Sequence, residues 1–122
     1  MSTQNWITQT PLTGGLRIIR GTVAGGVLDA NSSFTAHIGS CERVIQVLSV
    51  SNKAGVGGVG GYTVEIAECL WQGKSGFAGG PNDLTIVVRY NDYNAGADGP
   101  HIMVPQYADL THEEFEIVVI VH

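Results

Sequence analysis

The sequence predicts an all-β fold: an antiparallel β-sandwich or jelly-roll-like domain of about six to eight strands. Three observations carry this. Short segments alternate apolar and polar residues, the apolar ones are rich in β-branched side chains, and Gly, Asn, Asp and Pro turns separate them. No helical stretch of twelve residues lies between them, which excludes a βαβ unit. At 122 residues the chain is long enough for one hydrophobic core. The expected organisation is an N-terminal arm, 1–15, and a single β-sandwich domain, 16–122.

The arm, "MSTQNWITQTPLTGG", is polar apart from Trp6 and Ile7 and ends on a glycine pair. It reads either as a tail or as an arm whose tryptophan docks on a neighbouring subunit, because a lone Trp needs an apolar surface. "LRIIRGTV" (16–23) is the first expected strand. In "SSFTAHIG" (32–39), Phe34, Ala36 and Ile38 share one face while Ser33, Thr35 and His37 share the other. "RVIQVLSVS" (43–51) is more apolar, as expected of a central sandwich strand. "YTVEIAE" (62–68) sets Tyr62, Val64 and Ile66 opposite Thr63 and Glu65. "LTIVVRY" (84–90) and "FEIVVIV" (115–121) flank a loop region, 91–112, with room for a short strand at "HIMV". Thr111 to Glu114 has a capping-box pattern that fits one helical turn before the last strand.

Composition narrows the function. Charged residues are only 14% of the chain while hydrophobic ones are 43%, against roughly 25% charged in an average soluble domain. The surface is therefore mostly Ser, Thr, Asn, Gln and Gly, or part of it is covered by a partner at little desolvation cost. The net charge is −5 with six Lys plus Arg, too few for a groove that tracks a nucleic-acid backbone. No basic leader precedes an apolar run, and no apolar stretch approaches the roughly 20 residues of a bilayer span. A soluble chain without a membrane partner is expected.

The run "KAGVGGVGG" (53–61) raises a phosphate-binding reading and then refuses it. A Walker-type loop needs its lysine after the glycines, and Lys53 precedes them. A dinucleotide fingerprint fits Gly55, Gly57 and Gly60 by spacing, but it must open a helix, and "YTVEIAE" follows. A slender hairpin connection remains. It is either mobile or packed against another backbone, which makes Gly55, Gly57, Gly58, Gly60 and Gly61, with Trp6 and Ile7, the candidate interface residues.

Other chemistry is weakly signalled. "NDYNAGADGPH" (91–101) offers Asp92, Asn94 and Asp98 as oxygen ligands without the EF-hand order. His37, His101, His112 and His122 form no motif; Glu116 stands where a zinc-protease helix needs its second histidine. Cys41 with His37 or His101 is a nucleophile pair only if the fold joins them. Cys41 and Cys69 read as two buried thiols or one bridge. Glu65 with Glu68, and Glu114 with Glu116, lack the cleft that paired carboxylates need. Tyr90, Tyr93, Tyr107 and Trp71 are stacking surfaces for a glycan, or caps on the sandwich edges. No catalytic residue, metal or cofactor is expected.

The polar arm, charge-poor β domain, glycine-rich loops and apolar final strand together resemble small virion structural proteins of tailed bacteriophages, nearest the capsid decoration or cement type. The resemblance spans about Leu16 to His122 in overall style. It implies a non-catalytic virion protein that forms homo-oligomers, commonly trimers, and reinforces a shell by binding the major capsid protein or another virion component. A ligand- or glycan-binding β-sandwich module is the alternative expectation.

Overall fold

The computed structural model describes residues 4–52, 62–92, 101–103 and 107–122, with backbone alone at 4–8, 62–63, 90–92 and 101–103. It is all-β, built from strands β1 (Gln4–Pro11), β2 (Arg17–Ala24), β3 (Ser33–His37), β4 (Val44–Asn52), β5 (Tyr62–Leu70), β6 (Asp83–Asp92), β7 (His101–Met103) and β8 (Glu114–Val121). One antiparallel sheet runs β1-β2-β8-β4; the other runs β3-β6-β5, with β7 also on β6. The sheets stack as a sandwich, as the alternating pattern predicts.

Alternation explains the core. On β8 the residues Phe115, Ile117, Val119 and Val121 are buried, and across the interior they meet Leu84, Ile86 and Val88 of β6 and Phe34 and Ala36 of β3. Phe34 and Phe115 join the two layers directly, with ring centroids 5.2 Å apart and planes tilted by 44°. Leu28, Ile38 and Leu110 close the ends from the connections. Where β2 leaves the sandwich the chain must be thin: a Cβ on Gly25 would run into the Leu110 carbonyl oxygen.

Two segments sit differently from expectation. Residues 4–11, within the segment read as an arm, form an edge strand on β2 of the same chain, with an irregularity between Trp6 and Thr8. The stretch expected to be a central strand, 43–51, is instead the edge strand β4. Its register on β8 shifts twice, between Val44 and Gln46 and between Val47 and Ser49. Each bulge sets two residues against one, so the inward positions become Val44, Val47 and Val50 at every third residue. Apolar content predicted burial on both faces; the bulges turn Ile45 and Leu48 out to solvent instead, 37% and 49% exposed.

Of the helical turn expected before the last strand there is only a turn at Thr111 and His112. Thr111 donates its N–H and hydroxyl to Asp109 at 3.0 and 2.7 Å. That local bonding satisfies the backbone without a helix.

Candidate assembly surface

On β2, Ile19, Gly21 and Val23 face the core, so Ile18, Arg20 and Thr22 point away from it. By the same alternation Glu116, Val118 and Ile120 point outward from β8. The register sets Ile18 beside Ile120 and Arg20 beside Val118. On the other flank of β8, the two bulges place Ile45–Gln46 against Ile120 and Leu48–Ser49 against Val118. Ile18, Ile45, Leu48, Val118 and Ile120 thus adjoin one another on the outer face of the sheet; Ile45 and Leu48 are exposed, Ile18, Val118 and Ile120 are half-buried, and Thr22 at the far end of the same face is buried.

The charged groups on this face lie beside the apolar group, not within it. Arg20 donates to Glu116 at 3.0 Å with both side chains partly in water, a pair worth at most about 1 kcal/mol. Contact with another protein would desolvate five aliphatic side chains and leave this pair at the rim. The arrangement has the anatomy of an apolar interface centre with a polar border.

The residues singled out from sequence are placed unevenly. Trp6 pairs with Gly21 of β2, and Ile7 falls at the irregularity of β1; both are described by backbone alone. Gly55, Gly57, Gly58, Gly60 and Gly61 lie outside the described residues, as do Tyr93, Asn94 and Asp98. The five outward aliphatics were not singled out. Their signal is the adjacent Ile18-Ile19 pair and the unbroken run Val118 to Val121, where alternation lapses because both faces are apolar.

The catalytic readings gain little. Cys41 and Cys69 are separate free thiols. Burial pushes the Cys69 thiol up to about 12, outweighing Lys74. Burial also raises Cys41, against Arg17, and its Sγ donates to the Ile38 carbonyl at 3.5 Å. Neither is poised as a thiolate. The His37 ring is held by Asp83 at 2.7 Å and by Asn82 at 3.3 Å. A depression of about 480 Å³ brings Arg17, Cys41, Glu42 and His122 to one end of the sandwich, where His122 and Glu42 stand 3.9 Å apart. His112 approaches Glu113 at 3.9 Å.

Glu65 is tied to Arg89 at 3.1 Å, and a register shift separates its strand position from Glu68. Trp71 packs on the core with Lys74 4.6 Å above its ring, while Tyr107 is exposed. No group of three or more His, Cys, Asp or Glu suited to a metal occurs among the described residues. No helix among them is long and apolar enough to cross a membrane.

Comparison with known proteins finds no match: no family model, no curated protein and no solved structure.

Proposed function

We propose that this chain is a non-catalytic structural protein that self-associates through the outer face of the β1-β2-β8-β4 sheet. The observation that carries the reading is the contiguity of Ile18, Ile45, Leu48, Val118 and Ile120 on that face. Exposed apolar clusters rimmed by polar residues mark contact sites. A low charge content reduces the desolvation cost of covering the surface around them.

Size sets what the face does. Four strands about 4.8 Å apart and some eight residues long present roughly 500 Å² of sheet, against about 800 Å² per partner in a stable interface. β1 is already counted in that area, so the remainder would come from segments beyond the sheet, the glycine run 53–61 among them. The resemblance to capsid decoration proteins supports the finer reading, a homotrimer that clads a virion shell and strengthens contacts between capsid subunits.

The test is molar mass by light scattering from micromolar to millimolar chain, with Leu48→Glu and Ile120→Lys as variants. An oligomer that falls to monomer in both is the expected result. A wild-type monomer at every concentration that also fails to bind a purified shell would overturn the proposal.

A further inference from the structure

The second sheet carries a different feature, an open strand edge facing a cleft. The β3–β6 register pairs Phe34 with Ile86 and Ala36 with Leu84. Its phase is fixed at both ends: Val88 donates to the Ser32 carbonyl at 3.0 Å and Ile38 to the Asn82 carbonyl at 2.8 Å. Even-numbered residues from 32 to 38 therefore direct N–H and C=O at β6, and Ser33, Thr35 and His37 direct theirs to the opposite side. Asp29 satisfies Ser33, accepting its N–H at 3.1 Å and donating to its carbonyl at 3.0 Å. Nothing among the described residues does the same for Thr35 and His37. Among the described residues their four backbone groups form a short unpaired ladder.

That edge borders a cleft of about 470 Å³, whose lining includes Gly25, Val27, Asp29, Thr35, His37 and Thr111. The volume accommodates a few residues of extended chain. Across it from β3, Gly26 and Leu28 bond Leu110 and Ala108, leaving the Val27 side chain 61% exposed as an aliphatic wall. The fixed charge at the cleft is negative. Asp29 lines it, Asp109 bridges Val27 and Asp83 holds His37, whereas no Lys or Arg is in the lining.

We propose that the free edge of β3 is a β-augmentation site for an extended, basic peptide. The peptide adds as a strand beside Thr35 and His37, rests an aliphatic side chain on Val27 and places its basic group near Asp29. A second copy of this chain is a poorer occupant, because its net charge of −5 opposes an acidic cleft.

The probe is a capped five-residue peptide alternating valine and lysine, added to the intact chain while amide exchange is followed by NMR. Protection should rise about tenfold at the Thr35 and His37 amides on saturation and stay unchanged at Phe34 and Ala36. Thr35→Pro removes only a free-edge donor, so it should weaken the peptide about tenfold while the β3–β6 ladder persists. Should that variant misfold, the ligand can be changed instead. N-methylation at alternate peptide amides should abolish binding in one phase and spare it in the other. Equal binding of both phases, equal binding of a valine–glutamate peptide, or unchanged exchange at Thr35 and His37 would overturn the proposal. Protection that rises with protein concentration without peptide would overturn it too, by giving the edge to a second copy.

Discussion

The two sheets share one core but meet water in opposite ways. Outward cross-strand neighbours on β3 and β6 are Ser33 with Val87, Thr35 with Thr85 and His37 with Asp83, and between β5 and β6 Glu65 faces Arg89 and Leu70 faces Thr85. Val87 and Leu70 are the aliphatic members of an otherwise polar set. The corresponding neighbours on β2, β8 and β4 include Ile18, Ile120, Val118 and the bulged Ile45 and Leu48. Since both inner faces are equally apolar, folding alone does not require the difference. Core burial determines only one side of each strand, so the other side is free to differ between the sheets.

The largest effect tests what the sheets have in common. Phe115→Ala removes a fully buried ring that touches Phe34 across the layers and should cost about 3–5 kcal/mol by chemical denaturation. A loss confined to amides of one sheet would show that the sandwich does not unfold as a unit.

Next comes an exchange of outer faces. Replacing Ile18 and Val118 by Thr should change stability by no more than about 1 kcal/mol while lowering the association measured by sedimentation. Replacing Thr35 and Thr85 by Val should leave the fold intact and create new association through the second sheet. If neither exchange alters sedimentation, outward chemistry does not distinguish the sheets.

Acid should separate them more gently. Burial pushes the Asp83 carboxyl up, but the His37 ring and the Gly80 N–H outweigh it and hold it below the ordinary 3.8. The Ser33 N–H is the main reason Asp29 is also lowered, against its desolvation. A carboxyl lowered in the folded state binds its proton more readily when unfolded. Its contribution is thus complete above about pH 4 and is lost as pH falls through the folded value. Amide exchange should accelerate in β3 before β8 below pH 4, and Asp83→Asn should flatten part of that dependence. The smallest effect is expected from the ion pairs: Arg20→Gln and Arg89→Gln should each cost about 0.2–1 kcal/mol, less at high salt.

Much of this fold was legible in the chain because strands declare themselves by period two. Seven of the expected segments, the short one at "HIMV" included, fall within a few residues of β2, β3, β4, β5, β6, β7 and β8. The place of β4 was not legible. Its apolar residues matched a central strand, and a bulge leaves no mark in composition because it changes pairing, not residue type. Strand β1 was hidden for a related reason: an edge strand with little apolar content gains its hydrogen bonds from β2, so its sequence need not advertise burial. The outer patch was half legible, in Ile18-Ile19 and the run Val118 to Val121. Ile45 and Leu48 joined it only through bulges. The β3 edge depends on which carbonyls face β6, a phase that side-chain alternation alone does not reveal.

The doubled bulge on β4 also limits how far the proposed association could go. A regular edge strand beside an apolar face offers a template for strand after strand, and growth by that route has no natural end. Two extra residues break the even spacing of the backbone groups along Val44–Asn52, so a neighbour cannot zip along that edge in register. Under the proposed self-association, contact would then be directed to the face, where rotation can close a ring. The two bulges that expose Ile45 and Leu48 would also oppose fibre formation, favouring a finite particle over an open filament.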